Sequence, residues 1–319
     1  MPFASETLEL SRELTVRTTS AMASVIEVLI EGNDAVADQA LQLVDRVFGL
    51  YETACSRFVA SSELNEFLKA TDQTALSPVL GQVLRASFAA YVETGGRFDP
   101  RVRQALEALG YDRTFSQLLE PRNAPEPRPL LVPWENPLID EHSLTFAAQS
   151  AALDFGGIAK GAALAAAAEA LRLRGMNGLI CAGGDVVVVA HNCSRPWPIA
   201  IEDPIPSAIE PIAAVEIEQG AVMTSSVRLR QWRAGTTPVH HLIDPRTGAP
   251  GGEGLSSVTV IGDDPVSAEV WSKTLFLGGF AGGFVEAEQR GLAAVFVSRE
   301  GEVAVSSGAE PVVTWVRPS

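Results

Sequence analysis

Four short segments of this chain combine residue types and spacings that can do chemistry. In Asp154-Phe155-Gly156-Gly157-Ile158-Ala159-Lys160-Gly161, two glycines turn the chain into the start of a helix. Backbone N–H groups at a helix start attract anions, with the positive end of the helix dipole behind them. Lys160 adds a full charge, and Gly156, Gly157 and Gly161 let a ligand approach the backbone closely. The chemistry this suits is binding of a phosphate-bearing small ligand. The plainer reading is a tight strand-to-helix turn with an incidental lysine. The run matches neither the Walker loop nor the GxGxxG fingerprint.

The second segment, Cys181-Ala182-Gly183-Gly184-Asp185, can bring backbone against a flat ligand, but on its own is more often a plain hairpin turn. The third is His240-His241-Leu242-Ile243-Asp244-Pro245-Arg246-Thr247-Gly248. In a strand the two histidines point to opposite faces, so only one enters a given site, and no third ligand has zinc spacing. Asp244 can cap the following turn, and Arg246 can pair with a carboxylate or a phosphate. The fourth holds Glu269 and Lys273, four apart on one helical face, a spacing that favours an ion pair with or without a function.

These segments need elements to hold them. Residues 23–30 read as a strand, and Asp34 as the cap of a helix running to about residue 55. Ser62 opens a short helix with a capping-type spacing to Asn65. A third helix covers 78–93, followed by a Gly95-Gly96 turn, Phe98-Asp99-Pro100 and another short helix. Residues 149–154 read as a strand ending at Asp154, and 158–174 as an alanine-rich helix. Strands follow at 178–181, 186–190, 197–202, 213–218, 240–243 and 257–261, then a helix over 265–277 and a hairpin around Glu300-Gly301. Six prolines between 121 and 137 make an ordered excursion, since proline blocks helix and central strand alike. The 319 residues read as one domain carrying that excursion.

Bulk properties narrow the function classes. The formal net charge is -15, which disfavours nucleic acid as a partner. An anionic ligand then needs local help from Lys, Arg, backbone N–H groups or a metal. The three cysteines, Cys55, Cys181 and Cys193, form no CxxC pair, and free thiols fit a reducing compartment. No apolar run reaches membrane-spanning length. The start, MPFASETLELSRELTVR, lacks a basic, then apolar, leader and a lipid-anchor cysteine. The expected location is the cytoplasm.

Taken together and in order, the segments resemble the ApbE family, the FAD:protein FMN transferases. The resemblance rests on Ser62-Glu63-Leu64, Gly96-Arg97-Phe98-Asp99-Pro100, Asp154 to Gly161, Gly183-Gly184-Asp185, Thr224-Ser225, His241 to Gly248 and Ala268-Glu269. It implies an α+β, ApbE-like (T-fold-like) fold, with a mixed or antiparallel sheet core and flanking helices. It also implies transfer of FMN from FAD to a Thr or Ser hydroxyl of an acceptor flavoprotein, with release of AMP. On that reading Asp154, Lys160 and the Gly156-Gly157 backbone hold phosphates. Gly183, Gly184 and Asp185 line the flavin or adenosine site, and Thr224 and Ser225 join the FAD contacts. His241 or Asp244 activates or orients the acceptor hydroxyl. The family's Mg²⁺ ligands map to the Ala159 carbonyl, Glu269 and Lys273.

Lys273 is the main departure, standing where the family has a threonine oxygen. Glu269 keeps a carboxylate that a hard cation can use, but an ammonium cannot ligate Mg²⁺. The expectation is that the Lys273 ammonium takes the metal's place. Ala165 stands where the family tends to have Asp, and Ala23-Ser24 where it has Gly-Thr. These changes keep two alternatives alongside transfer: a non-catalytic FAD-binding protein, and an FAD pyrophosphatase.

Overall fold

The computed structural model describes residues 14–115, 118, 126–130, 132–148, 152–191, 195–205 and 210–318. Among these, eight strands form the main sheet. In spatial order they are Leu14–Ala21, Ser24–Glu31, Gly178–Ala182, Asp185–Val189, Gly220–Ser226, Leu255–Gly262, Ala293–Ser298 and Val303–Val305. Every neighbouring pair is antiparallel. A smaller sheet of Val313–Val316, Ala213–Ile217 and Trp197–Ile201 covers one face.

Strand side chains alternate between faces, and here each face has its own core. Ile180, Val187, Met223, Val260 and Phe296 pack towards the helices. Their neighbours Leu179, Val186, Val222, Ile261 and Val295 pack with Trp197 and Val215 of the smaller sheet. The layers are therefore helices, main sheet and small sheet, as expected for an α+β fold.

The described helices are α1 (Asp34–Cys55), α2 (Glu63–Phe67), α3 (Pro78–Glu93), α4 (Arg103–Ala108), α5 (Ala159–Arg172), α6 (Pro265–Leu277) and α7 (Gly279–Arg290). Their starts follow capping chemistry. The Asn33 side chain, one residue before the expected Asp34, accepts the Val36 N–H and caps α1. Ser62 caps α2 through the Asn65 N–H, and Ser77 caps α3 ahead of Pro78. Asp264 accepts from Val266 and Ser267 at the start of α6.

Several expectations need correcting. Residues 149–151 of the expected 149–154 strand lie outside the described residues, and 152–155 are irregular. The Asp154 N–H bonds the Pro100 carbonyl at 2.7 Å, so a loop rather than a sheet edge holds it. The expected 240–243 strand is two pieces, Thr237–His240 and Ile243–Asp244, each in its own small hairpin. Strand Leu14–Ala21 and helix α7 were not expected. The proline-rich excursion lies partly outside the described residues. Its described part is anchored: Leu130 N–H bonds the Pro245 carbonyl at 2.7 Å, and Trp134 is buried against Phe88 and Tyr91.

Candidate active site

A cavity of about 490 Å³ opens where the start of α5, the middle of α6, the end of α1 and the 230–243 segment meet. Cationic side chains outnumber carboxylates in its lining: Arg57, Arg97, Lys160, Arg230 and Lys273 against Glu52, Asp99 and Asp154. On a chain of net charge -15 this gathers cations on one wall, and it suits an anionic ligand. Phe58 and Tyr111 supply aromatic walls on the same cavity.

Three of the cations are held by one repeated arrangement. A carboxylate gives one oxygen to the cation and the other to a backbone N–H. Asp154 Oδ2 lies 2.7 Å from Arg57 Nε, while Oδ1 accepts the Gly156 N–H at 2.6 Å. Asp185 Oδ2 lies 2.6 Å from Lys160 Nζ, while Oδ1 accepts the Thr224 N–H at 2.7 Å. Glu269 Oε1 lies 3.1 Å from Lys273 Nζ, while Oε2 accepts the Gly161 N–H at 2.7 Å. Asp185 and Glu269 are almost fully buried. A buried carboxylate is tolerated only when paired and hydrogen-bonded, and each bracket meets that condition. Each also fixes its cation in place before any ligand arrives, which is what electrostatic preorganisation requires.

Glycine is required at one point of this assembly and gives close packing at a second. A Cβ at Gly161 would stand 2.7 Å from Glu269 Oε2 and 2.9 Å from the Pro265 carbonyl, so only glycine lets α5 approach α6 this closely. A Cβ at Gly157 would press on the Lys273 stem at 3.2 Å and on Phe98 at 3.3 Å. The helix-start N–H groups expected to bind an external anion are thus partly used internally, since Glu269 takes the Gly161 N–H.

Arg57 is the largest addition to the residues expected from sequence. It is buried, with its guanidinium carbon 4.1 Å from the Phe58 ring centre and 4.7 Å from that of Tyr111. Its signal was faint: an Arg-aromatic pair between α1 and the Ser62 cap. Arg230 and Tyr111 lie in or beside irregular segments with no motif around them.

His241 lines the cavity, and its Nδ1 is 3.3 Å from the Arg230 carbonyl. A carbonyl only accepts, so Nδ1 carries the proton and Nε2 keeps its lone pair. Burial, then the charges of Arg230 and Lys273, hold its pKa well below the usual histidine value, so the ring is neutral at pH 7. His240 is turned away against Phe276, its pKa lowered to about 4 chiefly by burial.

Of the other expected residues, Gly183, Gly184, Asp185, Thr224, Ser225 and Asp244 do not line the cavity. Gly183 and Gly184, with φ of 61° and 94°, form the two-residue turn that delivers Asp185. Thr224 Oγ1 meets Thr259 Oγ1 at 2.9 Å, and Ser225 Oγ meets Ser272 Oγ at 2.8 Å, bracing the sheet and α6. Asp244 is held by Arg246 at 2.7 Å and lines an adjoining concavity, on the other side of Leu277, with Arg246 and Arg299. Ala159, Gly156 and Gly157 line the main cavity.

The donor set around Glu269 does not fit Mg²⁺. That ion needs near-octahedral oxygen ligands at about 2.0–2.1 Å. Both Glu269 oxygens are engaged, and position 273 offers an ammonium instead of an oxygen.

Comparison with known proteins agrees with this architecture. The profile of the ApbE family matches residues 18–296. An FAD:protein FMN transferase of Rhodobacter capsulatus is 30% identical over 234 residues, 68% of this chain and 42% of that protein. One from Klebsiella pneumoniae is 32% identical over 157 residues, 49% of this chain and 48% of that protein. One from Haemophilus influenzae is 26% identical over 292 residues, 86% of this chain and 83% of that protein. The matches thus take in less than half the length of the first two relatives. Among solved structures, the ApbE protein of Thermotoga maritima superposes with a TM-score of 0.78 at 23% identity, covering 94% of this chain and 99% of that one. The flavin transferase ApbE of Vibrio cholerae superposes with a TM-score of 0.73 at 22% identity, with the same coverage. These likenesses establish the fold.

Proposed function

Because this chain belongs to the ApbE family, we propose that it transfers FMN from FAD to a Thr or Ser hydroxyl of an acceptor flavoprotein. The observation that carries the reading is the convergence of three bracketed cations, Arg57, Lys160 and Lys273, on one cavity with aromatic walls. A pyrophosphate joined to a flat ring system is the ligand such a cavity suits. The names of the relatives favour transfer over simple flavin binding or hydrolysis.

In the proposed step the acceptor hydroxyl oxygen attacks the phosphorus of the FMN half of FAD. An O–P bond forms, the bond from that phosphorus to the bridging oxygen breaks, and its electron pair leaves with AMP. The hydroxyl proton passes to a base, and the neutral His241, with Nε2 free to accept, is the candidate. Asp244 is committed to Arg246 and faces the other concavity, which leaves His241 the better placed of the two. Phosphoryl transfer depends on positioning and charge neutralisation more than on covalent help, and the cations supply both. Asp154 and Asp185 act by holding Arg57 and Lys160, and the Gly156-Gly157 turn seats the phosphates. No step is assigned to Mg²⁺, whose ligand set is incomplete here.

The chain is proposed to work as a single domain, since one core runs from Ile26 to Phe296. No described helix is long and apolar enough to cross a membrane. The free thiols of Cys55 and Cys181 support the cytoplasmic reading. The test is incubation with FAD and a candidate acceptor domain, reading AMP by chromatography and acceptor mass by spectrometry. Transfer predicts AMP together with one FMN on a single Thr or Ser. AMP with free FMN and an unmodified acceptor would identify a pyrophosphatase. FAD binding without AMP would identify a carrier.

A further inference from the structure

We infer that the Lys273 ammonium is a built-in substitute for a divalent cation, so that the cavity neutralises a pyrophosphate without metal. This deepens the function proposed above and rests on it for the identity of the ligand.

Glu269 sits in α6, a helix buried on most sides, and is 1% exposed. A carboxylate so placed must be compensated by a cation. Among the described residues its ion-pair partner is Lys273, one helical turn on, with Nζ 3.1 Å from Oε1. The other oxygen is closed off by the Gly161 N–H. An incoming ion would have to displace both partners and would still find no oxygen at position 273.

Lys273 is also built in mechanically. Its stem packs over Gly157, where a Cβ would come within 3.2 Å of Cδ and Cε, and its side chain is 17% exposed. An ammonium has three donors. Two are directed to Glu269, at Oε1 (3.1 Å) and at the backbone carbonyl (3.4 Å), and the third remains for a ligand in the cavity that Lys273 lines. The charge is felt across the cavity, since it contributes to the lowered pKa of His241. Lys160, anchored separately by Asp185, lines the same cavity, so two fixed ammoniums face one ligand.

Lysine in this role differs from a metal in what it demands. It needs no loading from solution, and it cannot be stripped by a chelator. It is a point charge with directional donors, suited to a phosphate oxygen.

The test is a Mn²⁺ titration, followed by electron paramagnetic resonance, of the wild type, Glu269→Gln and the double variant Glu269→Asp/Lys273→Thr. In parallel, FAD binding is read by quenching of flavin fluorescence, in EDTA and in Mg²⁺. The wild type is expected to bind no Mn²⁺ at this place, and to bind FAD equally well in EDTA and in Mg²⁺. The double variant is expected to bind one Mn²⁺ and to gain thermal stability on doing so. Lys273→Met, which keeps the stem, is expected to weaken FAD binding in EDTA by about tenfold or more, the scale of one lost charge-assisted hydrogen bond. A single Mn²⁺ bound by the wild type and lost in Glu269→Gln would overturn the inference, as would FAD binding that EDTA abolishes. If the wild type bound neither FAD nor Mn²⁺, the flavin reading would fail, while the ammonium's occupation of the cation position would stand. Should the double variant fail to fold, the wild-type titration still decides.

Discussion

The contact between α5 and α6 gives the sharpest test of this site, because the same substitution should have opposite signs at two glycines. In Gly161→Ala the new Cβ would stand 2.7 Å from Glu269 Oε2 and 2.9 Å from the Pro265 carbonyl. The carboxylate can swing away, but the carbonyl belongs to the backbone of α6 and cannot. Forcing a methyl into a packed interface costs about 2 kcal/mol. Displacing Glu269 also breaks its bond to the Gly161 N–H, and a hydrogen bond to a charged group is worth about 2 kcal/mol. Alanine's better helix propensity returns about 1 kcal/mol. Gly161→Ala should therefore destabilise the protein by about 3 kcal/mol. It should also weaken FAD binding, because Lys273 loses its fixed partner. Gly49 lies in α1, where an added Cβ meets nothing within 4 Å. Gly49→Ala should stabilise by about 0.5–1 kcal/mol through propensity alone. Urea unfolding of both variants is the assay. A Gly161→Ala protein as stable as the wild type would refute the close-approach argument and the bracket around Glu269.

Three further outcomes follow from the same geometry. His240 is buried and neutral, with its pKa lowered from 6.5 to about 4. The unfolded chain binds the extra proton first, so this increment of stability is complete above pH 6.5 and is lost as pH falls from there to about 4. The difference between wild type and His240→Asn in unfolding free energy should shift by roughly 3 kcal/mol between pH 7 and pH 4, and a pH-independent difference would contradict it. Met22 and Ala23 form the turn between the first two strands with φ of 51° and 54°, an uncommon conformation for residues with a Cβ. Ala23→Gly should raise stability by about 1 kcal/mol, read from the denaturation midpoint. Asp185→Asn keeps an acceptor for the Thr224 N–H but leaves Lys160 without its counter-charge, and should cost about 3 kcal/mol. Adding Lys160→Met to Asp185→Asn should recover much of that loss, and a purely additive double variant would argue against the pairing.

Much of the fold was legible because local signals agreed with the tertiary demand. Helices α1, α3 and α6 carry capping residues, apolar spacing or proline at the first position, and their ends fall where those signals place them. Helix α7 was hidden by its glycines. Gly283 is required because a Cβ there would stand 2.3 Å from the Leu275 carbonyl, so a glycine that reads locally as a breaker is fixed by contact with α6. Residues 149–154 read locally as a strand ending at Asp154. The structure instead ties Asp154 to Pro100, far away in sequence. No local pattern carries that kind of information.

The site was legible as a set of segments but not as a circuit. Spacing suggested the Glu269–Lys273 pair because it is local, one helical turn apart. Asp185–Lys160 spans an intervening strand and Asp154–Arg57 spans several elements, and only the packing of α1 and α5 against the sheet brings them together. In a lone motif each acid looks like a ligand contact. In three dimensions each is the counter-charge that aims a cation, with its second oxygen tied to a backbone N–H. That division of labour has a physical basis. In an acidic protein, free lysines and arginines would collapse onto surface carboxylates or stay solvated. Holding each on an acid that is itself tied to a backbone N–H leaves its remaining donors available to one anionic ligand. The gathering of cations at the cavity therefore depends on paired carboxylates, and the same acids that make the cation positions stable make them specific.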